Sequence, residues 1–546
     1  MGIFIYLGIS KAVQKQEWEE VYEETLQLVQ AFPLAEKRSV QCRGIDTICL
    51  VPTREREFHG GWWDKEKRVG WCAVGDYETM HTAEEYFLSR NMIKEGDYKE
   101  NALDALFGLL PTDLNYAGED AQFGQIYNVW GNKTQGEPYH IYLLAIACLI
   151  ESRLGNKAFV YGDITRAQCK RAVELANMHL KEPIDIPARC DKERFWKRVS
   201  DLPFSEKEQF EIFERFFLGM KDKEFGEFIR KKYSEKIWDA YWKGQFQKAE
   251  VGSLGFADKL KNYLLWGFGL EELCGFINYN DKDNVPQYDE FVKGVMDTKL
   301  HLRDKDCEDL LEINQDEEKP YSIYTLLAQF AFAGAKNKKV DRYIPIEEIR
   351  IALKKGLDGK CDVDKLIDEY LAKEAELLVI KASKDNMSEQ ELEEYCEQDA
   401  ATVFNEAMGT QYENYVNERK EYEISKYEDL IYYEYGDNIQ PRLLEGLKAS
   451  FSFYNNLTTE KSYSELMEKS AMQRCEWLIQ QNRTILIRDK DWEKIFADIE
   501  ENEEAFARYY PMMRVELESM DLIYLAMAFV LNDELYSFCR EMIAKS

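Results

Sequence analysis

Only five histidines occur in the 546 residues, so any imidazole chemistry has very few places to come from. His81 closes the string "VGDYETMH", in which Asp76 and Glu78 supply carboxylates able to orient an imidazole as the acid of a catalytic triad does. Thr82 and Glu85 have the spacing of a capping box, which puts His81 in the first turn of an expected helix. His140 follows Pro138 at the start of another. The positive end of a helix dipole keeps an imidazole neutral and usable as a base. Packing or capping suits either ring equally well, and no nucleophile presents itself beside them.

Among the acids, Asp163 stands out. It follows the apolar run Ala158 to Tyr161 and precedes a helix, the position at which open α/β sheets bind ligands. The pair Gly162-Asp163 is also what a tight strand-to-helix turn uses, since glycine tolerates unusual dihedrals and aspartate accepts local amide bonds. With one strand visible here, the turn is the better-supported reading. Upstream, "GQIYNVWGNKT" offers Gly131, Lys133 and Thr134, the residue types that cradle phosphate. A phosphate-binding P-loop needs G-x-x-x-x-G-K-[ST] running straight into a helix, whereas "QGEP" intervenes here and Gly124 is too far from Gly131. Lys133 and Thr134, with Asp76, are retained as ligand-positioning candidates.

Metal chemistry finds little support. "DKDNVPQYDEF" and "DGKCDVDKLIDE" lack the glycine and oxygen-ligand spacing of a calcium loop. Cys42, Cys49, His59, Cys72 and His81 contain no C-x-x-C or H-x-x-x-H pair to anchor zinc. The serine-hydrolase elbow and the HExxH pair are absent. No metal and no cofactor are expected.

The elements that must position these residues follow from periodicity. Ile3 to Leu7 reads as a strand. Trp18, Val21, Tyr22, Thr25, Leu28, Val29 and Phe32 recur at helical spacing until Pro33 stops them. Ser39 to Cys42 and Thr47 to Val51 flank "RGID" as a hairpin would, and Arg68 to Val74 alternates as a further strand. Residues 1–95 therefore make a small α+β domain. Residues 96 to 137, rich in Gly, Asn, Asp and Pro, read as a long irregular connection. Tyr139 to Ile150 is apolar on nearly every side, Gly155 sits at a helix C-cap position, and Thr165 with Gln168 caps the next helix. Loop, helix, strand and helix form a middle region over 96–200.

Beyond Pro187 the pattern is almost wholly helical: Glu206 to Met220, Tyr321 to Phe332, Glu347 to Leu357, Val363 to Leu377, Glu389 to Ala407 and Leu522 to Ile543. Composition shifts at Asp281 to Gln287 and Lys381 to Ser388 mark linkers, which gives helical domains over 201–380 and 381–546. The expected class is α+β, a small N-terminal α+β domain followed by a large, predominantly α-helical body. No repeat of 30 to 45 residues recurs.

Composition then narrows function. With 71 Lys and Arg against 102 Asp and Glu, the formal charge of −31 repels phosphate backbones and anionic membranes. The basic stretches Lys192 to Arg198 and Lys336 to Lys339 read as solvated faces with acids close by, so nucleic-acid binding is not expected. Twelve cysteines without a regular framework fit free thiols in a reducing cytoplasm. "MGIFIYLGIS" lacks a basic n-region, and Ile141 to Ile150 is about half of the ~20 residues a membrane span needs. The expectation is a cytoplasmic acidic protein-interaction protein that neutralises or organises a basic protein partner, as a component of a bacterial toxin-neutralising or defence system would. The alternative is an enzyme of hydrolase-like acid/base chemistry, with its site between the N-terminal domain and the middle region. There, His81 or His140 would be base and Asp163 acid.

Overall fold

Strand β1 (Phe4–Ser10) is the middle of a three-stranded antiparallel sheet, flanked by β7 (Ile126–Lys133) and β8 (Ala158–Gly162). In this computed structural model the described residues are 3–59, 67–94, 96, 98–99, 104–106, 126–302, 342–381 and 423–545. The alternation of β1 buries Ile5, Leu7 and Ile9 on one face and leaves Phe4 and Tyr6 half-buried on the other. Register sets Phe4 opposite Lys133, and Tyr6 between Gly131 and Tyr161. Helices α1 (Lys15–Ala31), α2 (Tyr139–Leu154) and α3 (Arg166–Asn177) share the core with the apolar face of this sheet. Most of α2 is buried, as its unbroken hydrophobicity requires, and Gly155 ends it at a positive φ of 57°. Thr165 and Gln168 cap α3 reciprocally at 3.1 and 2.9 Å.

A second sheet joins β2 (Leu34–Cys42), β3 (Ile45–Pro52), β4 (Arg56–His59), β5 (Lys67–Asp76) and β6 (Thr82–Ser89) in the order β3-β2-β5-β4, with β6 also on β5. The β2–β3 hairpin turns on Arg43 and Gly44, both at positive φ, the backbone that suits right-twisted strands.

Two local expectations are corrected here. Thr82 does not open a helix: Thr82–Ser89 is a strand that sets Leu88 against Trp71 and Tyr86 against Ala73. Burial of alternate residues Tyr86 and Leu88 in an existing sheet outweighs a capping pattern. The stretch expected to be irregular contains β7, because the exposed edge of β1 supplies partners for a sequence whose Gly and Asn content suggested a loop.

The rest is helical, and the molecule is α+β with a large helical body. One core is an aromatic cluster built by the helices from Lys192 to Met296 with Ile346–Leu357 and the start of Val363–Lys381; Trp242, Tyr263 and Trp266 lie at its heart. Asp281 to Gln287 forms an exposed tight turn between two of these helical segments, pinned by Asp281 Oδ1 accepting from the Asp283 and Val285 amides at 2.9 Å each. The other core packs the C-terminal helices against Ala35, Cys49, Leu50, Val51 and Cys72 of the second sheet. Leu522 to Ile543 is two helices, Met520–Leu531 and Asp533–Ala544, bent by 97°. Asn532 makes the break, accepting from the Leu535 amide and donating to the Tyr433 carbonyl. The expected helices Tyr321 to Phe332 and Glu389 to Ala407, the basic stretch Lys336 to Lys339 and residues 382 to 388 of the second linker lie outside the described residues. Among the described residues, no single helix is long and apolar enough to cross a membrane.

Candidate functional site

Four of the candidate residues gather at the start of β1. Asp163 holds Phe4 from both sides: its Oδ2 accepts the Phe4 amide at 3.0 Å and its own amide donates to the Phe4 carbonyl at 2.9 Å. Across the sheet Lys133 pairs with Phe4 and sets its ammonium 5.6 Å from the Phe4 ring and 4.0 Å from Glu84. Thr134 is buried. Its amide and hydroxyl both reach the Ile3 carbonyl, at 2.8 and 3.3 Å, and its Oγ1 lies 2.7 Å from His140 Nδ1. His140, in the first turn of α2, is 5% exposed, and burial pushes its ring down to about 4. It is therefore neutral, and its Nε2 has no hydrogen-bond partner among the described residues. Asp163, Thr134 and His140 thus fasten the sheet edge to the helix start.

His81 and Asp76 sit elsewhere, in and after the turn that joins β5 to β6. Asp76 Oδ1 accepts the Glu78 and Thr79 amides at 2.9 and 2.7 Å, which makes it the turn's own cap, while its buried Oδ2 has no hydrogen-bond partner among the described residues. Burial raises the Asp76 carboxyl above its ordinary range against those bonds. The residue that orients His81 is Glu137, whose Oε2 is 2.8 Å from Nδ1, not Asp76 or Glu78. The Tyr524 ring packs 5.3 Å from the imidazole. Burial works against a charged ring here, yet the bond to Glu137 and the charges of Glu137, Glu428 and Asp76 outweigh it and raise His81 above its ordinary value. His81 lies just ahead of a strand, not in the first turn of a helix as expected.

The most heavily charged buried place in the middle region involves none of these residues. The outer edge of β8 meets side chains where another strand would lie: Glu151 Oε2 accepts the Val160 amide at 2.7 Å, Arg189 Nη1 reaches the Val160 carbonyl at 3.4 Å, and Arg198 Nη2 donates to the Ala158 carbonyl at 3.0 Å. Arg198 also forks onto Asp104, with Nε to Oδ2 at 2.9 Å and Nη2 to Oδ1 at 2.6 Å. Glu151, Arg189 and Arg198 are each under 10% exposed. Burial raises the Glu151 carboxyl, opposed chiefly by Arg198. The expected solvated face over Lys192 to Arg198 is corrected at this residue: helix α4 (Lys192–Ser200) buries Phe195, Arg198 and Val199 and exposes Arg194 and Lys197. The signals were an acid closing the apolar run of α2 and an arginine three residues after Phe195, on its face of the helix.

A cavity of about 380 Å³ opens beside this network, between the C-terminal end of α2, residues 185–188 and α4. The thiols of Cys42, Cys49 and Cys72 are buried and free, and among the described residues no group of three or more His, Cys, Asp or Glu is arranged to hold a metal ion. Comparisons of the chain with family models, with curated proteins and with solved structures give no match.

Proposed function

We propose that the chain works by binding: an acidic, cytoplasmic protein-interaction protein that holds and neutralises a basic protein partner, in the manner of a bacterial toxin-neutralising or defence component. One observation carries this reading. Glu501, Glu504, Glu516, Glu518 and Asp521 are exposed on the C-terminal helices and their connections, with no described lysine or arginine within ion-pair distance, and Met520 and Leu522, next to Asp521 in the chain, are exposed at 56% and 39%. Unpaired exposed acids with exposed apolar side chains in the same part of the chain suit a basic, partly apolar surface, which charge steers into place. Free thiols at every described cysteine support the reducing compartment. The engagement of Asp163 and Thr134 with backbone, and of His140 with the Thr134 hydroxyl, favours binding over turnover. The test is affinity capture by the full chain from its native cell at about 50 and about 500 mM salt, where the screening length falls several-fold. A variant carrying Gln at 501, 504, 516 and 518 is run in parallel. A basic protein retained at low salt, and lost at high salt and by the variant, is expected. Retention of none at low salt, or equal retention by the variant, overturns the reading.

A second reading, a hydrolase-like enzyme, is supported by the His81–Glu137 pair, which bridges the first 95 residues and the middle region with the geometry of a base and its orienting acid. Turnover of an activated ester or amide that disappears in His81→Gln would support it. Turnover unaffected by that change would exclude His81 as the base.

A further inference from the structure

His81 stands where four separate parts of the chain meet. It follows the turn between β5 and β6, its Nδ1 lies 2.8 Å from Glu137 Oε2 in the connection from β7 to α2, and the Tyr524 ring of helix Met520–Leu531 packs 5.3 Å from it. The fourth part is the short helix Glu428–Tyr432, whose Glu428 carries a charge that acts on both His81 and Tyr524. Asn532 Nδ2 donates to the Ile431 and Tyr433 carbonyls at 3.1 and 2.8 Å, which ties the short helix and Met520–Leu531 into one wall. The sheet turn and the Glu137 connection form the other.

Both walls carry charge of one sign. Glu137, Asp76 and Glu78 stand on the sheet side, Glu428 and Asp521 on the helical side, and the Tyr524 phenol feels Glu137, Glu428 and Asp521 together. Among the described residues His81 is the only cationic group within ion-pair distance of Glu137, and none reaches Asp76 or Asp521, while Glu428 has Lys426 at 3.2 Å. Arg488, which donates to the Glu78 carbonyl at 3.2 Å, is itself paired with Asp491 at 2.6 Å. The His81 side chain is 16% exposed, enclosed enough to escape most screening and open enough to exchange its proton with water. While charged, the ring attracts carboxylates on both walls; once neutral, it leaves them facing one another. We infer that His81 is a proton-operated clasp, which holds helices Glu428–Tyr432 and Met520–Leu531 against the turn of the second sheet when charged and lets them loosen when the proton leaves. The proton is held above the ordinary value of 6.5, so loosening comes as pH rises through that higher value. The rest of the C-terminal core, closed by apolar contacts and the Leu50–Ile487 bond, stays in place. This inference needs neither reading of function.

The test is hydrogen-exchange mass spectrometry of the full chain and of His81→Gln at about pH 6 and about pH 9, compared within each pH so that the intrinsic exchange rate cancels. At the lower pH, peptides covering 428–432 and 520–531 are expected to exchange at least about threefold faster in His81→Gln, the effect of a half-unit rise in the imidazole value. At the higher pH that gap should close. Peptides of helix Pro441–Leu457, in the same core, should exchange alike in both chains throughout. Glu428→Gln removes one of the facing charges and is expected to slow exchange in the clasp peptides at the higher pH and not at the lower; if His81→Gln fails to fold, this variant decides. A His81→Gln gap equal at the two pH values would make the contact one of packing alone. That result, a gap shared by Pro441–Leu457, or a Glu428→Gln effect independent of pH overturns the clasp.

Discussion

His81 and His140 carry the same ring into opposite surroundings, and stability should register the difference with opposite signs. His140 has burial alone acting on it, and its folded value near 4 lies below the unfolded value of about 6.5. The unfolded chain therefore takes up the proton first, and the stability His140 allows above pH 6.5 is lost as pH falls toward 4. For His81, raised by Glu137, Glu428 and Asp76 against burial, the folded chain holds the proton longer. Its stabilisation is complete below about pH 6.5 and lost as pH rises through the folded value. Two measurements follow. The melting temperature of the native chain minus that of His81→Gln should be larger at about pH 6 than at about pH 9, and an equal gap would show that the Glu137 bond has no charged character. His140→Gln should make the decline between about pH 6.5 and 4 shallower, and an unchanged decline would place the acid sensitivity elsewhere. Residue types drew attention to both rings, but their partners were out of sight. Glu137 lies 56 positions from His81 and meets it only because β6 is a strand, so Asp76 and Glu78 looked like the orienting acids from proximity in the chain.

At the scale of elements, β8 shows how a short strand survives at a sheet edge. Its outer carbonyls and amide bond to Arg198, Arg189 and Glu151 in place of a neighbouring strand, which satisfies buried backbone groups without exposing a pairing surface. The cost is a set of buried charges that must remain complete. Arg198→Met should destabilise the chain by roughly 3–5 kcal/mol, because Asp104 and Glu151 would be left as uncompensated buried acids. Urea denaturation measures this, and a loss below about 1 kcal/mol would mean that the network is wet or redundant. The chain announces helices α1, α2 and α3 and the strand β8 through local features: periodicity, a capping box, a positive-φ glycine. It conceals β6 and β7 because both depend on partners far along the chain. β7 in particular reads as a loop until β1 is beside it, since Gly131 and Asn132 weaken any strand signal.

For the molecule as a whole, the C-terminal helices return to the N-terminal sheet and share its core. The Leu50 amide donates to the Ile487 carbonyl at 3.0 Å, the Tyr77 hydroxyl to Asp489 Oδ1 at 2.6 Å, and Arg488 Nη1 to the Glu78 carbonyl at 3.2 Å, while Arg43 reaches Glu493 and Glu500. Amphipathic periodicity reveals that a helix has a buried face, never which distant element covers it, so the spread of this core over more than four hundred positions was not legible. Because apolar contacts bind the two ends into one core while the aromatic cluster around Trp266 forms another, they should unfold as separate cooperative units. Trp492 is 1% exposed in the shared core, and Trp492→Ala should cost about 3–5 kcal/mol. In hydrogen-exchange mass spectrometry that loss should appear in peptides covering β2 and β3, although no change was made there, and Trp266→Ala should leave those peptides protected while accelerating exchange over residues 223–300. If Trp492→Ala spares β2 and β3, the contacts at Leu50 and Tyr77 join two independently stable parts, and the acidic C-terminal face is free to respond to a partner without disturbing the sheet beneath it.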